Sequence, residues 1–183
     1  GVHRRQRQMC IRDSVRGDST SGKSSACFPC PISMGSTWNK KLIKKIGTAL
    51  GEEALDKDVD VLLGPTINLH RHPLGGRHFE NFSEDPFLTA EIAVAYVKGV
   101  QSKKVSACLK HFVANDTEFE RHTVSSNLDE RTLREVYLLP FEMGIKKAKA
   151  KSVMSAYNKL NNIYCSSNED LLMKVLKKEW GFD

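Results

Sequence analysis

Three short apolar runs, each followed by polar residues, divide the chain at regular intervals. They cover Asp58–Leu63 (DVDVLL), Val105–Leu109 (VSACL) and Ser152–Ala156 (SVMSA). Apolar runs of this length between longer helix-like segments are typical of buried strands in a parallel sheet. The pattern therefore predicts three strands.

Four longer segments alternate with these runs and carry apolar residues at helical spacing. A regular alternation of helices and strands indicates βα units and a parallel sheet, and so an α/β fold. The predicted helices run from Thr37 or Asn39 to about Asp56, and then over 86–102, 130–149 and 168–180.

The helix boundaries rest on side chains that cap free backbone N–H groups. Thr37 or Asn39 is the expected cap of the first helix, and Asp85, Asp129 and Ser167 are the expected caps of the second, third and fourth. Pro86 follows Asp85 at the first helical position, where proline is well tolerated. Pro140 lies inside the third helix and is expected to bend or break it, because proline lacks the backbone donor.

Each predicted strand ends in a polar cluster. The first is followed by a long polar connection that contains Gly75-Gly76-Arg77, the second by Lys110-His111, and the third by Tyr157-Asn158. The carboxyl ends of parallel strands lie on one side of a sheet, where ligands bind. We therefore expect these clusters to form one ligand site, centred on Val105–Arg121.

The chemistry of this set suits a hydroxyl-rich or anionic ligand. Arg77, Lys110 and His111 can donate hydrogen bonds, and Tyr157 can donate or accept. The histidines at positions 70, 72 and 78 leave a metal site open as an alternative. No carboxylate or cysteine at a fixed spacing accompanies them, so no metal or other cofactor is predicted.

The chain carries a net charge of +6, which by itself would suggest a nucleic-acid partner. Much of the excess lies in Arg4–Ser14 (RRQRQMCIRDS), which resembles the in-frame translation of a transposase-type sequencing adapter. Without the first fourteen residues, which hold four arginines and one aspartate, 24 basic and 21 acidic residues remain, a net charge of +3. We therefore predict no nucleic-acid partner and treat 1–14 as a non-native tail.

No apolar run approaches the roughly 20 residues that a membrane span needs, and no signal peptide is visible. We therefore predict no membrane partner, and the sequence favours a cytoplasmic location. Five cysteines without regular spacing argue against a disulfide framework. Cys27 and Cys30 form a C-x-x-C pair, for which an ordinary structural role is favoured over redox chemistry.

One further motif suggests a function of a different class. Gly17–Ser24 (GDSTSGKS) fits the phosphate-loop pattern of nucleotide-binding proteins. A phosphate loop needs an apolar strand before it and a helix after it. Here Pro29 and Pro31 follow the motif, and no apolar strand precedes it. A flexible loop is favoured, with nucleotide binding kept as the alternative.

Six segments carry a family resemblance. They are CFPCPISMGSTWN, DVDVLLGPTINLHRHPLGGRHFENFSEDP, KHFVAND, DERTLREVYLLPFE, SVMSAYNKLN and LKKEWGFD. Over 15–183 the chain resembles the N-terminal domain of glycoside hydrolase family 3, in particular its β-glucosidase-type members. The resemblance implies a partial (β/α)8, TIM-barrel-like domain that is truncated at both ends.

The resemblance also implies a reaction: retaining hydrolysis of terminal, non-reducing β-D-glucosyl residues, without metal or organic cofactor. Such a reaction uses two carboxyl groups about 5 Å apart. In the family the nucleophile is the aspartate of a Ser-Asp-Trp motif that follows the WGFD segment, so Asp183 is not that residue. The acid/base comes from a later domain, an implied partner of this one. The 183-residue chain is therefore expected to be inactive alone.

The substrate-binding residues can be carried over from the family motifs. Arg77, Lys110, His111 and Tyr157 match residues that hold the terminal sugar, and Arg121 and Met154 match the same pocket less closely. KHFVAND differs from the motif of the N-acetylglucosaminidase branch. β-Xylosidase or arabinofuranosidase specificity stays open, as does a non-catalytic sugar-binding module.

Overall fold

The computed structural model describes residues 25–183, so Arg4–Ser14 and Gly17–Ser24 lie outside the described residues. The strands are β1 (Val61–Leu62), β2 (Ser106–Phe112), β3 (Ser125–Ser126), β4 (Ser152–Ser155), β5 (Lys159–Leu160) and β6 (Ile163–Tyr164). The α-helices are α1 (Pro31–Ser36), α2 (Lys40–Asp56), α3 (Pro86–Gln101), α4 (Glu130–Thr132) and α5 (Leu139–Ala148). Residues Leu133–Tyr137 and Asp170–Glu179 form π-helical turns, and His78–Glu80 and Cys165–Ser167 form 3-10 turns.

The three predicted strands pair side by side in one parallel sheet, with β2 between β1 and β4. Val61 pairs with Ser106 at one seam, and Cys108 pairs with Ser152 at the other. The α/β prediction is therefore confirmed. A second small sheet, β3-β5-β6, has two-residue strands that the apolar pattern does not reveal.

The strand β2 is longer than predicted. It continues past Leu109 to Phe112, because Lys110 pairs with Met154 of β4 and also bridges to Thr66. Lys110 and His111 therefore belong to the strand and do not lie in the loop after it. The peptide bonds on the C-terminal side of Lys110 and of Phe112 are both cis.

Three of the four predicted helix caps are confirmed. The Asn39 side chain accepts a hydrogen bond from the backbone N–H of Leu42 at 3.1 Å, and Asp85 and Asp129 cap α3 and α4 in the same way. The prediction for Ser167 is wrong, because it lies in a 3-10 turn one residue too early and donates to the Tyr164 carbonyl. The cap is provided by the next residue, Asn168, whose Oδ1 accepts a hydrogen bond from the Leu171 N–H at 3.1 Å.

The predicted third helix is interrupted near Pro140, as expected. It divides into α4, the π-helical turns and α5, with Pro140 in the first turn of α5. The Leu138 N–H donates to the Leu133 carbonyl, five residues back, at 2.8 Å. Because Pro140 lies in the first turn of α5, where backbone N–H groups have no partner within the helix, its missing N–H costs no hydrogen bond.

Helices cover one face of the parallel sheet. The central helix is α3, which packs between α2 and α5 and is buried on most sides. Gly47 and Gly99 allow α2 and α3 to approach closely: a Cβ on Gly47 would lie 2.5 Å from the Tyr96 carbonyl oxygen, and one on Gly99 2.4 Å from the Lys44 carbonyl oxygen.

The other face of the sheet borders an open groove of about 830 Å³. Its lining includes Val61 of β1, Cys108 of β2 and Met154 of β4, side chains that a closed barrel would turn inward. This arrangement is that of a barrel segment with helices outside. Within residues 25–183 none of the helices combines the length and apolarity that a bilayer span requires.

Candidate functional site

The site lies where the carboxyl ends of β1 and β2 meet the long connection between β1 and α3. This connection folds back along β2: the Asn68 side chain donates to the His111 carbonyl at 3.0 Å and accepts from the His111 N–H at 2.9 Å. Asn68 thus pairs with β2 as a neighbouring strand residue would. The contact fixes the loop against the strand that carries Lys110 and His111.

Lys110 and His111 are both buried, with only 2% and 7% of their surfaces exposed. Burial of a charged lysine or an imidazole is costly unless polar groups surround it. The neighbourhood of His111 is strongly positive, because Arg77, Lys110 and Arg121 all act on its ring. The candidate residues from the first two polar clusters, Arg77, Lys110 and His111, therefore lie close together.

Arg77 is held in place by two carboxylates. Its Nε donates to Glu80 Oε1 at 3.2 Å and its Nη2 to Glu80 Oε2 at 2.7 Å, a two-pronged contact with a carboxylate that is 1% exposed. Its Nη1 lies 3.6 Å from Glu118 Oε1. A planar guanidinium suits this geometry, which fixes its direction as well as its position.

Glu118 connects Arg77 to the third polar cluster. Its Oε2 accepts from Arg121 at 2.6 Å, and Arg121 lies over the ring of Tyr157 at 5.4 Å from the ring centroid. The His122 ring is 4.8 Å from that of Tyr157. Tyr157 is 57% exposed, so it lies at the rim of the site whereas Lys110 and His111 lie deep within it.

Two of the four predicted residues, Arg77 and His111, line the same small cavity. The cavity measures about 10 Å³ and is lined by polar side chains from the long connection and from the segment after β2. Its other lining residues are Thr66, Asn68, Gly75, His78, Asn81, Asn115, Asp116 and Glu118. Lys110 and Tyr157 are not part of this lining, and Met154 lies on the groove at the other face of the sheet.

The surroundings shift two titrating groups in opposite directions. Burial, followed by the positive charges of Arg77, Lys110 and Arg121, lowers the pKa of His111 to about 3. Burial also raises the pKa of the Asp116 carboxyl to about 6, against the hydrogen bond from the Leu69 N–H. The His111 imidazole is therefore uncharged near neutral pH, and it can both donate and accept hydrogen bonds.

The sequence interpretation missed the acidic residues and amides that organise the site. Glu80 and Glu118 each lie three residues from the arginine that they bind, a spacing that could have signalled the ion pairs. Asn68 and Asp116 gave no such signal, because their partners are distant in the sequence. Opposite charges at a fixed spacing are therefore the feature that a sequence search should include.

The histidines of the long connection hold the loop itself. His70 Nε2 lies 2.8 Å from the His78 carbonyl oxygen, and the Leu74 N–H donates to His72 Nδ1 at 3.2 Å. Within residues 25–183 no cluster of three or more His, Cys, Asp or Glu side chains could hold a metal. Cys27 and Cys30 are exposed free thiols.

The sequence profile described as Glycosyl hydrolase family 3 N terminal domain matches residues 4–183. The chain belongs to glycosyl hydrolase family 3. This confirms the family resemblance over the barrel segment. The matched range includes the Arg4–Ser14 run, whose adapter-like origin stays a prediction.

Relatives within family 3 are named β-glucosidases. The Rhizobium radiobacter protein "Beta-glucosidase" is 59% identical over 167 residues, which are 91% of this chain and 20% of the relative. "Thermostable beta-glucosidase B" of Acetivibrio thermocellus is 49% identical over 180 residues, 98% of this chain and 23% of the relative. The chain therefore spans about a fifth of the length of these relatives.

Solved structures of family 3 proteins confirm the fold. β-Glucosidase 3B from Thermotoga neapolitana, solved in complex with α-D-glucose, superposes with a TM-score of 0.86 at 52% identity, covering 94% of this chain and 24% of the other. The Bifidobacterium adolescentis GH3 β-glucosidase gives a TM-score of 0.89 at 43% identity, covering 93% and 25%. The barrel-type interpretation of the parallel sheet is thereby confirmed.

Proposed function

We propose that this chain is the sugar-holding part of a retaining β-glucosidase that removes terminal, non-reducing β-D-glucosyl residues. The observation that carries the proposal is the grouping of Arg77, Lys110 and His111 at the ends of the first two strands, where Arg77 and Lys110 both act on the His111 ring. The names of the relatives, and the glucose bound in one similar structure, support glucose as the sugar.

The chemistry of the four side chains fits hydroxyl recognition. The guanidinium of Arg77 is aimed by Glu80 and Glu118, and the neutral imidazole of His111 can accept from one hydroxyl or donate to another. Lys110 adds a positive charge from the same strand. In this proposal Tyr157, at the rim, contacts the sugar from the third strand end.

The proposal assigns no bond-breaking group to the chain. Retaining hydrolysis requires a nucleophilic carboxylate and a second carboxyl group as acid/base. In the family both belong to segments beyond the WGFD run, so we expect the 183-residue chain alone to bind sugar weakly and to hydrolyse nothing. The parent protein, obtained by continuing the reading frame in the source DNA, is expected to be the enzyme.

The decisive experiment compares the parent with the 183-residue chain on aryl β-glucoside, β-xyloside and α-L-arabinofuranoside substrates. We expect the parent to cleave the glucoside with the highest kcat/KM and the short chain to be inactive. Preference for either of the other two sugars would replace the proposed specificity. A parent that binds glucose but cleaves none of the three would be a sugar-binding module instead.

A conservative substitution tests the proposed role of Arg77. In the parent, Arg77→Lys keeps the charge but loses the planar fork, and we expect kcat/KM to fall roughly ten- to a hundredfold. Arg131→Lys is the matched control, because Arg131 forms an exposed ion pair with Glu135 on the helix surface. Equal activity of both variants would count against Arg77 as a sugar ligand.

A further inference from the structure

Four buried polar atoms without a hydrogen-bond partner surround the small cavity at the site. They are Asn81 Oδ1, His111 Nδ1, Asn115 Oδ1 and Asp116 Oδ1. Within residues 25–183 only seven buried side-chain polar atoms lack a partner, so four of the seven converge here. Buried polar atoms in folded proteins are nearly always paired, directly or through ordered water. Their convergence indicates a small ligand that bonds to several of them at once.

The size of the cavity limits this ligand to a single atom or a water molecule. Its volume is about 10 Å³, and a cavity of about 10–15 Å³ is the minimum that holds one water. A sugar hydroxyl that entered would bring its ring carbon with it, and together they exceed this volume. Water or a monatomic ion is therefore the only class that fits.

The charges around the cavity select among these ligands. Arg77 lines the cavity, and Arg77, Lys110 and Arg121 together oppose positive charge at His111. A cation is disfavoured by these three charges. An anion would face three oxygen atoms that only accept hydrogen bonds, including a carboxylate. A water molecule can accept from the imidazole N–H and donate its two O–H groups to two of the three oxygens, which suits this mixed set better than either kind of ion.

The carboxylate of Asp116 is anchored on its other side. The backbone N–H of Leu69 and the hydroxyl of Tyr137 lie within hydrogen-bonding reach of it, and Arg71 adds a positive charge nearby. Arg71 also lies over the Tyr137 ring, 5.8 Å from its centroid. Asp116 also lines the cavity, and its Oδ1 is buried without a hydrogen-bond partner in the protein.

We propose that the cavity binds one ordered water molecule that accepts a hydrogen bond from His111 Nδ1–H and donates to Asp116 Oδ1 and to an asparagine oxygen. Asp116 is then a positioning residue for His111. The water fixes the imidazole proton on Nδ1 and leaves Nε2 with a lone pair. The role of that lone pair, accepting from a sugar hydroxyl, rests on the proposed function; the water site itself does not.

A crystal structure of the parent at a resolution that reveals ordered waters tests the site directly. We expect one water within about 3.2 Å of both His111 Nδ1 and Asp116 Oδ1. The same water should remain when glucose is bound. Direct contact between His111 and Asp116, an ion in place of the water, or a sugar hydroxyl in the cavity would each overturn the proposal.

A variant pair tests the positioning role. In the parent, Asp116→Ala removes an oxygen to which the water donates, so the water no longer holds the ring proton on Nδ1 and the proton can move to Nε2. We expect KM for an aryl glucoside to rise about three- to tenfold with little change in kcat, and the ¹⁵N chemical shifts of His111 to report the other tautomer. Glu120→Ala, on the exposed part of the same loop, is the matched control and should change neither.

The two parts of the test separate the proposals. If the parent cleaves no glycoside, the proposed function fails, while the crystal structure and the ¹⁵N shifts still decide the water site. Unchanged ¹⁵N shifts in a folded Asp116→Ala protein would contradict the positioning role even if the enzyme is active.

Discussion

The lowered pKa of the buried His111 imidazole leads to a quantitative prediction. Its pKa is lowered from 6.5 to about 3, so the fold favours the neutral ring. At 1.36 kcal/mol per pKa unit, this preference amounts to about 5 kcal/mol. At pH 5 roughly 1% of the folded rings would carry a proton, whereas an ordinary histidine would be almost fully protonated.

The sign of the effect on stability follows from linkage. The folded pKa of His111 lies below its unfolded value, so the folded state binds fewer protons. The stability that the neutral ring contributes is fully present above pH 6.5 and is lost as the pH falls from 6.5 towards 3. Asp116 changes stability with pH in the opposite direction, because its pKa is raised in the folded state. The stability that its protonated carboxyl contributes is present below about pH 4 and is lost as the pH rises to about 6.

Exchange of the imidazole C2 hydrogen for deuterium, followed by peptide mass spectrometry, measures the pKa of each histidine in a large protein. In the folded parent we expect the His111 midpoint near pH 3, and in denaturant near 6.5. Arg121→Gln should raise the folded midpoint, because it removes one of the three positive charges that act on the ring. A folded midpoint near 6.5 would refute the argument that burial and positive charge keep His111 neutral.

Three further predictions concern the packing around the site, each measured on the parent protein. Asn158→Ala should lower stability by about 1–3 kcal/mol, seen as a lower melting temperature, because the buried side chain donates to backbone carbonyls after β2. Gly35→Ala should be more damaging than an ordinary surface substitution, since its Cβ would lie 2.1 Å from the Phe82 carbonyl oxygen; soluble yield and melting temperature measure this. A thiol reagent followed by peptide mapping should modify Cys27 well before Cys108, because burial raises the pKa of the Cys108 thiol.

Each of these three predictions can be checked against a control within the same protein. Asn127→Ala removes an exposed asparagine and should leave the melting temperature nearly unchanged. Gly181→Ala meets no atom within 4 Å and adds only backbone strain at φ 66°, so it should cost less than Gly35→Ala. Equal effects within either pair, or equal labelling of the two thiols, would contradict the packing described here.

The features that depend on local chemistry could be predicted from the sequence. Asn39, Asp85 and Asp129 cap helices through bonds to residues three positions away, and Pro140 acts on its own helix. The parallel order of the strands followed from their alternation with helices. Such interactions are decided within a few residues, where a single sequence holds the necessary information.

The features that depend on partners distant in the sequence could not be predicted in this way. The pairing of Asn68 with His111 joins residues 43 positions apart, and nothing in either segment marks it. The strand β2 extends to Phe112 because neighbours on both sides offer partners, although Lys110 and His111 look like the start of a loop. Ser167 and its neighbour Asn168 are both good capping residues, and the 3-10 turn decides between them.

We propose that Arg77, Lys110 and His111 hold the terminal sugar. A crystal structure of the parent with glucose tests this proposal most directly. We expect sugar hydroxyls within about 3.2 Å of the Arg77 guanidinium, the Lys110 ammonium and the His111 ring. Glucose bound elsewhere, with these three side chains more than a hydrogen-bond length from every sugar oxygen, would contradict it.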